Sequence, residues 1–139
     1  MPRIKLKLPT KFHFQTKLKL RIYDMNYGAH MGNDSVLSII HEARMQFFQS
    51  INLEERDFYG FSLLMADSAV VYKKEGFYGD QLDIQISVSE LYDYGFELFY
   101  LLKNGNDEIA RVKTGLVCYD RSKNKIAKTP LDFVNIFCQ

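Results

Sequence analysis

Residues 35–50 read Ser-Val-Leu-Ser-Ile-Ile-His-Glu-Ala-Arg-Met-Gln-Phe-Phe-Gln-Ser and constrain the fold more than any other stretch. Val36, Ile39, Ile40, Ala43 and Phe47 recur at helical spacing, and Leu37, Met45 and Phe48 widen the stripe. A helix with that much apolar circumference is expected to be buried, not to lie on a surface. Much of the remaining chain alternates apolar with polar residues, the signature of strands. One buried helix among strands has to be covered by a sheet, which offers a whole apolar face. With 139 residues, 47% of them hydrophobic and 25% charged, the chain can supply such a core within one domain.

Phe12, Phe14, Thr16, Leu18, Leu20 and Ile22 fall on one parity, and His13, Gln15, Lys17, Lys19 and Arg21 on the other. That predicts a strand with one buried face and His13 on its wet side. Ile4, Leu6 and Leu8 share the pattern, but Pro9 interrupts it, so residues 1–10 form an edge arm at most. Asn33 or Asp34 is placed to cap the long helix. Asn52 with Glu55 resembles a capping box for a short second helix, stopped by Gly60. Leu63 to Glu75 reads as a strand, and its run Ala69-Val70-Val71-Tyr72 suits burial on both faces. Gly76 and Gly79 bracket a turn, and Leu82, Ile84, Ile86 and Val88 alternate after it. Asp93-Tyr94-Gly95 and Asn104-Gly105-Asn106-Asp107 are turns between the strand patterns Phe96–Lys103 and Glu108–Tyr119. Pro130 opens a short C-terminal helix over 130–139, with Leu131, Val134, Ile136 and Phe137 as its apolar side. The order is strand, long helix, short helix and four antiparallel strands, an α+β arrangement in one domain over 1–139.

Other classes are disfavoured. A net charge of +1 gives no excess for binding nucleic acid, and the basic residues of positions 3–21 alternate as a strand's wet face does. No apolar run reaches the roughly 18–20 residues of a membrane span. The N-terminus lacks an apolar secretory segment. Cys118 and Cys138 are far apart and show no metal spacing, so the expectation is reduced thiols in a cytoplasmic protein with no metal site.

Between the first strand and the long helix lies a polar loop holding Asp24, Asn26, His30, Asn33 and Asp34, with Gly28 and Gly32 among them. Acid, amide and imidazole groups packed ahead of a helix make a small-molecule site. The helix's first N–H groups and its dipole favour negative charge there, and the glycines allow close backbone approach.

These residues carry a family resemblance. Asp24-Met25-Asn26-Tyr27-Gly28-Ala29-His30-Met31-Gly32-Asn33 is similar to the Asp-x-Asp-x-x-Gly-His-x-Asn-Asn loop of the hot-dog thioesterases, in their hydroxybenzoyl-CoA thioesterase-like branch. Glu42-Ala43-Arg44 stands at that family's Glu-Ala-Arg spacing, and Tyr78-Gly79-Asp80-Gln81-Leu82 resembles its Tyr-Gly-Asp-x-Leu. The resemblance spans Leu18 to Asp120. It implies a hot-dog fold: an antiparallel sheet of about five strands wrapped round one long central helix. It also implies hydrolysis of an acyl- or aroyl-CoA thioester, with coenzyme A only as part of the substrate and no cofactor. A homodimer or homotetramer with the site at the subunit interface follows from the same likeness. The chain departs from the pattern at Asn26, where the family's credited acid stands, at Ala29 for Gly, and at Gly32 for the first Asn.

The reaction needs a carboxylate, oxyanion donors and room for the acyl group. Asp24 points to the same side as Asn26 on an extended backbone and is either the acid or a loop-ordering group. Asp34 is a displaced base or a plain cap. Glu42, about two turns into the helix, is read as buried and hence paired, holding the loop or acting in catalysis. His30 polarises the carbonyl, orients the acid, or is structural, and Asn26 positions water or the carbonyl. Tyr27, Gly28, Ala29, Gly32 and Asn33 are the expected substrate contacts. His41 offers no constellation, and Cys118 has no His near it in sequence. Two other readings compete: a non-catalytic acyl-CoA-binding protein, fed by Asn26, and an enoyl-thioester hydratase, whose Asp-x-Asn-Pro-x-His begins as Asp24-Met25-Asn26 does.

Overall fold

Alternation decides which way each strand faces. The computed structural model describes residues 2–138. Its elements are β1 (Phe14–Lys19), a 3-10 turn (Ile22–Asp24), α1 (Ser35–Ser50), β2 (Ser62–Tyr72), β3 (Gln81–Tyr92), β4 (Gly95–Asn104), β5 (Asp107–Asp120), β6 (Lys125–Ala127) and α2 (Leu131–Phe137). All pairings are antiparallel, in the order β1-β3-β4-β5-β2, and β6 pairs with β5. Leu82, Ile84, Ile86 and Val88, then Phe96, Leu98, Tyr100 and Leu102, then Ala110, Val112, Leu116 and Cys118 all turn to one buried face. Val36, Ile39, Ile40, Ala43, Phe47 and Phe48 of α1 join them in one core. A sheet with one long helix packed on its concave face is the expected α+β hot-dog arrangement.

Several expectations need correcting. The long helix is buried on one side only: Leu37, Ser38, His41, Glu42 and Gln49 are exposed, because a two-layer fold covers a helix from one side. The second helix is absent. Asn52 takes a left-handed φ of 60°, Glu55 is drawn to Arg44, and Phe58 pairs with Phe61 across a tight turn at Tyr59 and Gly60. β2 is an edge strand, not one buried on both faces; Val70 and Val71 are half-buried and Tyr72 is exposed. β1 stops at Lys19, which pairs with Gln81, the first residue of β3, so Ile22 leaves the sheet and is exposed. On α2 the buried residue is Phe133, seated against Phe58 and Phe96 with ring centroids at 4.8 and 4.6 Å, while Leu131 and Ile136 face out. β6 adds a sixth strand, continuing the line of β4 alongside β5. His13 is half-buried, and its Nδ1 accepts the Val88 N–H at 3.0 Å.

Among its described residues the N-terminal arm forms no strand. Ser87 Oγ donates to the Lys11 carbonyl (2.7 Å) and Arg111 Nη1 to the Leu6 carbonyl (2.9 Å). Both side chains alternate with inward residues, so the arm crosses the sheet on the face turned away from α1.

Candidate active site

The loop before α1 is a small hairpin. Met25 pairs with Met31, the Asn26 N–H donates to the His30 carbonyl (2.7 Å), and the Gly32 N–H to the Asp24 carbonyl (2.9 Å). The hairpin docks on the β2–β3 connection, where the Met31 N–H donates to the Gly76 carbonyl at 2.7 Å and His30 pairs with Phe77. At its tip Ala29 adopts φ 66°, the left-handed region that the family's usual glycine would enter freely. Tyr27, Gly28 and Ala29 are exposed there.

The predicted acids have different environments. Asp24 is buried, and its Oδ2 accepts the Arg21 N–H at 2.8 Å while Oδ1 meets the Arg21 guanidinium at 3.2 Å. It lines a 330 Å³ cavity with Glu42, Ser38 and Gln46 on the β1 side of α1. Glu42 is exposed rather than buried; it accepts from Gln46 Nε2 at 2.9 Å. Asp34 sits at the N-cap position but makes no cap hydrogen bond, and Asn33 is not the cap residue. The Asp34 carboxylate has no hydrogen-bond or ion-pair partner among the described residues. Its Oδ1 stands 2.6 Å from where a Cβ on Gly32 would be, and Asn26 Cβ stands 3.8 Å from the same point. Gly32 therefore leaves the space that the Asp34 carboxylate occupies beside Asn26.

Asn26 ties the loop. Its Oδ1 accepts the Gly28 N–H at 2.9 Å and the His30 N–H at 3.2 Å, the local bonding Asn side chains make in turns. His30 Nδ1 lies 2.7 Å from Glu75 Oε2, so that ring nitrogen is the donor and the Glu75 carboxyl oxygen the acceptor. Asn33 lines a 260 Å³ cavity with Met31, Val36, Tyr72, Lys73 and Glu75, and its carbonyl accepts from the Tyr72 hydroxyl (3.2 Å). The loop thus brings Asn26, His30, Asn33 and Asp34 to the leading end of α1, while Asp24 and Glu42 share a separate groove.

Residues 20–137 match the family model of the thioesterase-like superfamily. The chain belongs to the thioesterase-like superfamily. Its general activity is accordingly thioester hydrolysis. A 1,4-dihydroxy-2-naphthoyl-CoA thioesterase from Synechocystis superposes with a TM-score of 0.81 at 18% identity, covering 91% of this chain and 96% of that one. A gentisyl-coenzyme A thioesterase superposes with a TM-score of 0.79 at 15% identity, covering 90% and 100%. A probable thioesterase from Bartonella henselae gives 0.73 at 13%, covering 86% and 98%. At these identities the structures show the shared fold. Comparison with curated protein sequences finds no match.

Two parts of this superfamily member escaped sequence reasoning. Glu75 and Tyr72 touch the loop from the end of β2, a contact made across some forty residues that no local pattern announces. The other is a buried network. Arg44 pairs with Glu55 and donates to the Tyr100 hydroxyl (3.2 Å), which bonds Thr114 Oγ1 (2.8 Å). Burial opposes the Arg44 charge, but Tyr100 and Glu55 outweigh it and raise the pKa. Burial pushes the Tyr100 phenol up, so it stays a neutral hydroxyl. Glu42 and Arg44 are about 200° apart round the helix, so one faces out and the other into the sheet. Among the described residues no cluster of His, Cys, Asp and Glu is fit to hold a metal, and no helix is long and apolar enough to cross a membrane.

Proposed function

We propose that the protein hydrolyses an acyl- or aroyl-CoA thioester, with Asp34 as the general base. The observation that carries this is the unpartnered Asp34 carboxylate beside Asn26, at a helix N-terminus with no side-chain cap. Asp34 takes a proton from water, and the water oxygen attacks the thioester carbonyl carbon. Negative charge on the carbonyl oxygen is met by N–H groups of the first turn of α1, aided by the helix dipole. The C–S bond then breaks, and the proton that Asp34 took from water passes to the sulfur, which leaves as the coenzyme A thiol and regenerates the carboxylate. Asp24, held by Arg21, and Asn26, bonded to Gly28 and His30, fix the loop's shape. Glu75 orients the His30 ring beside it. No cofactor is needed for these steps, and a cytoplasmic setting suits them.

The same reading makes the protein a homodimer or a tetramer of dimers. The β2 edge, with Leu64, Met65 and Tyr72 exposed and Leu37 of α1 nearby, is where a second copy would extend the sheet and complete the site. Light scattering should give twice or four times the 16.3 kDa chain mass.

The direct test is thiol release from a panel of short, long and aromatic acyl-CoAs. Turnover by the wild type that is lost in Asp34→Asn supports the assignment; release unaffected by that substitution removes Asp34 from the chemistry. One observation favours a second reading: the residue at the family's acid position, Asn26, spends its side chain on the loop. A non-catalytic acyl-CoA binder would show tight binding in calorimetry with no thiol release.

A further inference from the structure

Residues 4–7 of the N-terminal arm lie beside β2 and β5 at a 370 Å³ cavity whose polar walls are Lys5, Lys7, Lys73 and Arg111 and whose apolar walls include Ile4 and Val71. Arg111 is spent: it pairs with Glu108 and holds the Leu6 carbonyl, which fixes the arm in place. The Lys5, Lys7 and Lys73 ammonium groups have no hydrogen bond or ion pair among the described residues, although Lys73 lies close enough to Glu108 to help hold that carboxyl below its usual range. Glu108 is shared between Arg111 and Lys73, so the cleft carries more positive than negative charge, an arrangement that an anion relieves. Lys73 also lines the 260 Å³ cavity beside Asn33, Met31 and Tyr72, so it stands between the basic cleft and the loop.

We propose that this cleft is a phosphate-recognition site that holds the nucleotide end of a coenzyme A thioester, with Lys5, Lys7 and Lys73 on its phosphates and Ile4 and Val71 against its organic part. The inference rests on the hydrolysis reading for what lies at the other end of the ligand. It commits the substrate to one that carries several phosphates. A carrier-protein thioester, with a single phosphodiester, would leave the cleft largely unused.

The test compares coenzyme A with pantetheine, which lacks the nucleotide and its phosphates, and an acyl-CoA with the matching acyl-pantetheine. In the triple variant Lys5→Gln/Lys7→Gln/Lys73→Gln the Kd for coenzyme A, read by calorimetry, should weaken roughly tenfold or more. Its dependence on salt should become shallower. The KM for acyl-CoA should rise with kcat unchanged, while both constants for acyl-pantetheine stay put. A control triple, Lys123→Gln/Lys125→Gln/Lys128→Gln, removes the same charge from an exposed surface near β6 and should change neither Kd nor KM. Equal effects of the two triples, or an unchanged Kd in the first, overturn the site. If wild-type protein binds coenzyme A through these lysines but turns over neither thioester, the site stands and hydrolysis falls. If it turns over both thioesters and the first triple changes nothing, hydrolysis stands and the site falls.

Discussion

The two ends of α1 are built on opposite terms. At its C-terminal end Phe47 and Phe48 enter an aromatic cluster with Phe58, Phe133 and Phe137, at ring-centroid distances such as 5.8 Å for Phe47–Phe137 and 5.9 Å for Phe48–Phe58. At its N-terminal end Asp34, Leu37 and Ser38 are exposed, Asp34 caps nothing, and cavities flank the first two turns. One end converts burial into stability; the other leaves polar groups unspent. The difference teaches where to look for chemistry in such a fold: at the end whose groups are not yet satisfied.

The largest expected effect breaks the packed end. Phe47→Ala should cost about 3–5 kcal/mol in a denaturant titration, since a fully buried Phe leaves a cavity. Thiol release per folded molecule should not change. A folded variant that had lost its activity would show that the two ends are coupled and the contrast false.

The next effect contrasts two acids ten residues apart. Asp34→Asn should lower kcat by about 10²–10⁴, the usual contribution of a general base, with stability within about 0.5 kcal/mol of wild type. Asp24→Asn should do the reverse. It loosens a buried carboxylate from three Arg21 donors, costing about 1–3 kcal/mol, and leaves the residual activity of the folded protein near wild type. Gly32→Ala places a methyl 2.6 Å from the Asp34 Oδ1, which must shift, and should reproduce the kcat loss in milder form. The reverse pattern, with Asp24→Asn inactive but stable, would return the base to Asp24.

What was legible in the sequence divides along the same line. The period of α1 and the alternation of Leu82, Ile84, Ile86 and Val88 are local signals, and those residues reach the core as their spacing predicts. Sheet order is not local. Nothing in Ala69-Val70-Val71-Tyr72 tells that β2 pairs on one side only, so a run suited to a central strand lies at an edge. Asn52 and Glu55 spell a capping box, yet Glu55 finds Arg44 from the long helix, and the tertiary pair overrides the local propensity. The spacing of Glu-Ala-Arg suggests an acid turned in, but packing turns in Arg44, because Tyr100 and Thr114 wait there on the sheet. In the loop, residue types are local information, whereas the partners of His30 and Asn33 are Glu75 and Tyr72, some forty residues on.

A smaller effect probes the packed side by pH. Burial pushes the Cys118 thiol up from 9.0 to about 11. A group whose folded pKa is raised keeps its stabilising contribution below its unfolded value and loses it as pH climbs towards the folded one. Stability should therefore fall between about pH 9 and pH 11, and that slope should flatten in Cys118→Ala relative to wild type. Below pH 9 a thiol reagent should modify exposed Cys138 rapidly and Cys118 only on unfolding. Rapid labelling of both would mean that the sheet near β6 opens easily.

The smallest effect tests whether the open end stores strain. Ala29 holds φ 66° at the hairpin tip, a conformation that costs an L-residue roughly 1–2 kcal/mol and glycine almost nothing. Glycine gives back about 0.4–1 kcal/mol through its freer unfolded chain. Ala29→Gly should therefore raise stability by about 0.5 kcal/mol, the opposite sign from most substitutions. Its activity should hold to within about twofold, because Asn26 Oδ1 still fastens the Gly28 and His30 amides on either side. A large activity loss without destabilisation would mean that the methyl group itself touches substrate, and that the tip belongs to the binding surface and not to the frame that shapes it.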